Sequence, residues 1–95
     1  MRFEWDEHKN RANMNKHKIS FEQASTVFLD RYAMIFQDVE HSKTEERFII
    51  IGKSALEHLL FVCYCEKNQS NSDEEVIRII SARKATNKER RLFYE

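Results

Sequence analysis

The stretch RIISARKATNKERRLFYE, residues 78–95, joins an apolar run of β character to a cation-rich end, and its reading sets the fold class. Together with Val76 and Ile77 the first half reads as a strand, VIRIISAR over 76–83. Thr86 and Glu89 then stand three apart in TNKE, the spacing at which a threonine and a glutamate cap a helix reciprocally, so a short helix should begin near Asn87. The basic tail is therefore expected to be ordered. Lys88, Arg90 and Arg91 would also complement the negative end of that helix.

Working back from this strand, three more β-rich stretches precede it: YAMIFQDV at 32–39, RFIIIGK at 47–53 and LLFVCYCE at 59–66. Their connections are short and polar, which favours antiparallel neighbours over parallel crossovers. Two helices come earlier. Asp6 is a good N-cap for a helix to about His17, and Ser20 with Gln23 opens a second one whose Phe21, Ala24, Val27 and Phe28 recur at helical intervals. The first helix is unusually polar; Ala12 and Met14 are its clear apolar residues and should form its narrow buried stripe, with Lys9 and Lys16 on one exposed face. The opening MRFEW alternates weakly and reads as a possible short first strand. The expectation is an α+β domain: two N-terminal helices on one face of a four-stranded antiparallel sheet, then a short C-terminal helix.

Composition sets limits on function. A chain of 95 residues with no proline and one glycine, Gly52, carries no linker written in breaker residues, so it is read as one domain. No apolar stretch approaches the ~20 residues of a membrane span, and the start lacks a secretory apolar region, which makes the cytoplasm the expected location. Cys63 and Cys65 point the same way on a strand and read as reduced core residues, not as a bridge. The net charge is zero but unevenly spread. Residues 1–20 hold five Lys/Arg against three acids and residues 76–95 hold six against two, while 21–46 hold two against six. If the ends met in space, they would form one positive patch suited to a nucleic acid.

The common catalytic fingerprints are missing: one glycine excludes glycine-rich phosphate loops, the four histidines lack metal-ligand spacing, and no serine sits in a nucleophile elbow. The remaining arginines, lysines, histidines, acids and exposed aromatics permit phosphodiester cleavage with side chains alone. Such cleavage removes the 2′-hydroxyl proton, stabilises charge on the phosphorane and protonates the leaving 5′-oxygen. Trp5 or Tyr94 would supply a flat surface for a base.

FEWDEHKNRANMNKHKISFEQASTVFLD at 3–30, EERFIIIGKS at 45–54 and RIISARKATNKERRLFYE at 78–95 together resemble the BrnT family of type II toxins, nearly end to end and in the same order. The resemblance implies a RelE-like ribonuclease fold. It also implies a BrnA-like ribbon-helix-helix antitoxin, a 2:2 heterotetramer, an RNA substrate, operator DNA reached through the antitoxin, and no cofactor or metal. The matching positions are Trp5, Asp6, Lys9, Asn10, Glu46, Arg47, Arg83, Lys84, Glu89 and Tyr94. On this basis Arg47 and Arg83 are expected as transition-state cations and Glu46 or Tyr94 as the proton-transfer group, with Trp5, Lys9, His17 and Lys84 contacting RNA. His41 and His58 lie in expected turns and receive no role.

This chain departs from the family in having Lys18 and Glu57 where glycines are usual, so the first inter-helix turn is expected to do without a positive φ. Its KNQSNSDEE loop is also longer. Plainer readings stand beside the functional ones. Trp5 is equally a core aromatic, Arg78 an ion-pair partner across the sheet, Glu46 and Arg47 rim charges, His17 a helix-end cation and Tyr94 a cap on the core. A non-catalytic RNA-binding module and a corepressor scaffold are the two alternatives to an enzyme.

Overall fold

In a computed structural model, which describes residues 1–67 and 73–95, three helices flank a five-stranded sheet. The strands are β1 (Arg2–Glu4), β2 (Met34–Gln37), β3 (Arg47–Lys53), β4 (Leu59–Glu66) and β5 (Val76–Lys84). The helices are α1 (Glu7–His17), α2 (Phe21–Ser25) and α3 (Asn87–Tyr94), with 3-10 turns at Thr26–Leu29 and Val39–His41. Part of the KNQSNSDEE loop, residues 68–72, lies outside the described residues, and the expectation about its length lies there with it.

The sheet order is β1-β5-β4-β3-β2, so the four antiparallel strands are extended by a fifth, and the sheet is mixed. β1 pairs in parallel with β5, Arg2 opposite Val76 and Glu4 opposite Arg78. Three residues of alternating character are too weak a pattern to show a sheet partner that lies more than seventy positions along the chain.

The helices start where capping chemistry allows. The Asp6 carboxylate accepts from the backbone N–H of His8 and Lys9, which holds its pKa below the ordinary aspartate value, and Ser20 accepts from the Gln23 amide. Gln23 does not return the bond; its Oε1 accepts from Ser54 Oγ and faces His58 Nδ1, tying α2 to the β3–β4 turn. Thr86 and Glu89 form the full reciprocal cap of α3.

One face of the sheet holds the core. Ile50, Leu60, Val62, Tyr64, Ile77, Ile79 and Ala82 pack there against Ile19, Phe21, Ala24 and Val27. Burial pushes the Tyr64 phenol up to about 12. Gly52 sits where the 3-10 turn after α2 crosses β3: a Cβ there would lie 2.9 Å from Ala33 Cβ and 3.0 Å from Val27 Cγ1.

The buried stripe of α1 is not the expected one. Ala12 and Met14 are exposed, whereas Asn10 and Asn13, one turn apart, are 5% and 7% exposed. The reason lies in β5, whose pairing with β1 stops at Arg78. Beyond that point its outer edge needs partners for buried peptide groups. Asn13 supplies them: Nδ2 donates to the Ala82 carbonyl at 2.7 Å and to the Ile19 carbonyl at 2.8 Å, and Oδ1 accepts from the Ala82 amide at 3.2 Å. Asn10 Oδ1 accepts from the Phe21 amide at 2.9 Å. Helix α1 thus docks through amides that mimic a strand, and it needs little apolar surface to do so.

Lys18 and Glu57 take positive φ, 62° and 64°, so the turns keep the left-handed geometry and a non-glycine residue bears its cost. That corrects the expectation of a turn without positive φ: Lys18 ends α1, its amide donating to the Met14 carbonyl, a helix end that requires this conformation.

Candidate active site

The sheet face turned away from α2 is built in cross-strand rows. One row runs Glu4, Arg78, Cys65, Arg47 across β1, β5, β4 and β3. Asp38 continues it just beyond β2, its amide donating to the Arg47 carbonyl at 2.8 Å. The next row is Ser81, Cys63, Ile49, Phe36, and the third is Arg83, Phe61, Ile51, Met34.

Arg78 and Arg83 are an odd number of residues apart, so a regular strand would point them to opposite faces. Both face the same way because the β4–β5 register shifts between Cys63 and Tyr64: Tyr64 opposes Ile79 and Cys63 opposes Ser81, leaving Ile80 as the extra residue of a bulge. Three guanidiniums therefore share this face.

They are engaged very differently. Arg83 donates to both Glu89 oxygens at 2.8 and 2.9 Å, donates to the Lys84 carbonyl, and lies 4.0 Å above the Phe61 ring. The pair raises the Arg83 pKa and lowers that of Glu89, each through hydrogen bonding to the other. Arg78 meets Glu4 at 3.5 Å, the cross-sheet ion pair that was one reading of its position. Arg47 meets Glu45 only at 3.9 Å, and its buried Nε is without a hydrogen-bond partner among the described residues. On strand geometry the Cα atoms of Arg47 and Arg83 stand roughly 16 Å apart, two strands across and four residues along.

Beside Arg47, residues 38–47 fold into a pinned turn. Ser42 Oγ donates to the Asp38 carbonyl and accepts from the Arg47 amide at 3.0 Å. His41 Nδ1 lies 3.1 and 3.0 Å from the two Asp38 carboxylate oxygens. An open pocket of 610 Å³ is lined by Glu40, His41, Lys43, Thr44 and Arg47. Burial raises the pKa of Cys63, and burial with a hydrogen bond to Glu45 takes Cys65 to about 11, so both thiols on this face stay protonated at neutral pH and are poor nucleophiles. Among the described residues no three His, Cys, Asp or Glu side chains converge as metal ligands.

The other expected site residues fall in different places. Glu46 is exposed just ahead of β3, and it is Glu45 that reaches Arg47. Tyr94 is 56% exposed at the end of α3, edge-on to Phe93 and 5.7 Å from the Arg90 guanidinium. Lys84 is exposed at the end of β5 and borders a shallow pocket with Glu57, His58 and Arg90. Trp5 packs on the helix-side core, edge-on to Phe21 at 6.1 Å, and its indole N–H donates to Glu7. Lys9 is exposed on α1 and His17 is half-buried in its last turn. Asn13 sets α1 along the outer edge of β5 at Ala82, and the Arg83–Glu89 pair joins α3 to the same strand one residue further on. Sequence reasoning did not single out the contact between Asp38 and His41, which lie three apart inside the turn before β3.

No curated protein matches the sequence. The crystal structure of the Brucella abortus ribonuclease toxin, BrnT, is similar to this fold with a TM-score of 0.64 and 25% identity, covering 92% of this chain and 99% of that one. The model of a family described as the ribonuclease toxin, BrnT, of type II toxin-antitoxin systems matches residues 5–89. With that match spanning nearly the whole chain and the same architecture in a BrnT structure, this chain belongs to the BrnT family of ribonuclease toxins.

Proposed function

We propose that this toxin is an endoribonuclease that cuts cellular RNA on the sheet face bearing Arg47, using side chains in place of a metal ion, and that growth arrest follows from the cleavage. The observation that carries the reading is the state of Arg47. Its guanidinium lies on the sheet face opposite α2, loosely held by Glu45, with a buried Nε donor that has no acceptor among the described residues. A buried donor left open is a costly arrangement in a resting protein and a useful one where an anion arrives. A scissile phosphate at Arg47 would gain a charge-assisted hydrogen bond that strengthens as charge builds on the phosphorane.

Arg78 extends the cationic row toward β1, and Lys43 adds a cation at the pocket rim. Tyr94, with Arg90 and Arg91, offers a base an aromatic surface flanked by cations. Arg83 acts mainly by holding α3 in place, and Glu46, Lys9, His17 and Lys84 act on RNA only at longer range. Trp5 serves the core. Neutralisation comes from a BrnA-like ribbon-helix-helix antitoxin in a 2:2 complex that covers the Arg47 face and carries the toxin to operator DNA.

Induced expression of wild type against Arg47→Ala, with total RNA resolved on a gel, tests this. Wild type should arrest growth and degrade RNA with or without a chelator in the lysate assay, and the folded variant should do neither. A harmless wild type with intact RNA would transfer the role of this face to RNA binding or corepression.

A further inference from the structure

We infer that His41 is the proton-transfer group of the Arg47 site, oriented by Asp38; the inference rests on the ribonuclease reading above and names the base that reading lacks. The geometry is that of an oriented imidazole. Asp38 keeps 12% of its side-chain surface exposed and His41 keeps 63%, so the carboxylate is the anchored member and the ring is the member held out into the pocket. Asp38 is fixed at both ends of its peptide: its amide donates to Arg47, and its carbonyl accepts from Ser42, whose hydroxyl accepts in turn from the Arg47 amide. The turn therefore couples the position of the ring to the residue that would bind the phosphate.

With Nδ1 facing both Asp38 oxygens at 3.0 and 3.1 Å, the proton of the neutral ring is drawn to Nδ1 and Nε2 is left as the acceptor. That is the tautomer a general base needs. Glu45, by contrast, is engaged by Arg47 and Cys65, and among the described residues that line the pocket neither it nor Glu46 is found. The groups around the imidazole are the lining residues Glu40, Lys43, Thr44 and Arg47, together with Asp38.

The step balances without a cofactor. His41 Nε2 takes the proton of the ribose 2′-hydroxyl, the 2′-oxygen forms a bond to phosphorus, and the bond from phosphorus to the 5′-oxygen breaks. The leaving 5′-oxygen takes a proton from a water of the open pocket, and His41 later returns its proton to solvent. The products are a 2′,3′-cyclic phosphate and a 5′-hydroxyl end. Asp38 is a positioning residue in this scheme and does not touch RNA.

The test uses the full chain made in a cell-free system, with total bacterial RNA as probe, comparing wild type, His41→Ala, Asp38→Asn and Arg47→Ala, each with and without added imidazole. His41→Ala should lower kcat by about 10²- to 10⁴-fold while KM changes little. Added imidazole should restore part of that loss and do nothing for Arg47→Ala. Asp38→Asn should lower kcat by a smaller factor. Cleavage by both His41→Ala and Asp38→Asn at the wild-type kcat, or a loss in His41→Ala confined to KM, would overturn the assignment while leaving the ribonuclease reading intact. Intact RNA with wild type itself would overturn both.

Discussion

Arg83 and Glu89 close on each other through two parallel hydrogen bonds, 2.8 and 2.9 Å long, and this pair fastens α3 to the sheet. Glu89 does two jobs, since Oε1 also accepts from the Thr86 amide in the capping box. Glu89→Gln preserves the shape needed for the cap and removes the charge. It should destabilise the fold by about 1 kcal/mol, discounted because Arg83 is a third exposed. Hydrogen exchange in 87–95 should rise more than in β4, and equal protection throughout would show that α3 is held by other contacts.

Acid should release the same helix. Glu89 has its folded pKa below the ordinary glutamate value of 4.5, so its contribution is present above 4.5 and is lost as pH falls through the depressed folded value. Amide resonances of α3 should therefore shift in that acid window, and the response should vanish in Glu89→Gln.

Lys18 and Glu57 occupy the left-handed region, where a side chain costs ~1–2 kcal/mol and glycine's extra chain entropy returns ~0.5–1. Lys18→Gly and Glu57→Gly should each raise stability by roughly 0.5–1 kcal/mol, read as a higher urea midpoint at unchanged m. A loss of stability in either would mean that the side chain contributes more than its backbone strain removes.

Gly52→Ala should do the reverse. The added methyl meets Ala33 Cβ at 2.9 Å and Asp30 Oδ2 at 3.1 Å, and the Asp30 carboxylate is committed to the Lys53 amide. A cost of roughly 1–3 kcal/mol is expected in thermal or urea unfolding.

Asn13→Ala strips partners from the Ala82 peptide and the Ile19 carbonyl at once. A loss of about 3 kcal/mol is expected, the larger part from buried groups left unpaired. Asn13→Asp should be no milder, because a carboxylate cannot donate to either carbonyl.

What the sequence made legible follows the strength of local signals. Strands β3, β4 and β5 carry dense apolar runs, and their bounds were readable to within a residue; the caps at Asp6, Ser20 and Thr86 were readable because the chemistry is local. β1 was weak because three residues define no period. Asn13 was unreadable as an anchor because its partner is the bare edge of a distant strand. The face shared by Arg78 and Arg83 depends on a one-residue bulge that leaves no mark in residue type. Arg47 was expected at the site from the family resemblance, while the Asp38 and His41 relationship needed the turn to be seen in three dimensions.

The bond between Asn13 and Ala82 spans 69 positions, and β1 reaches across a similar distance to β5. Residues of β1 and α1 thus complete the outer edge of β5. Contacts so distant along the chain are slow to form, and β5 must be present before β1 and α1 have an edge to close. A chain cut short before Ala82 should therefore fail to hold α1 and be cleared as an unfolded polypeptide instead of persisting as a smaller nuclease.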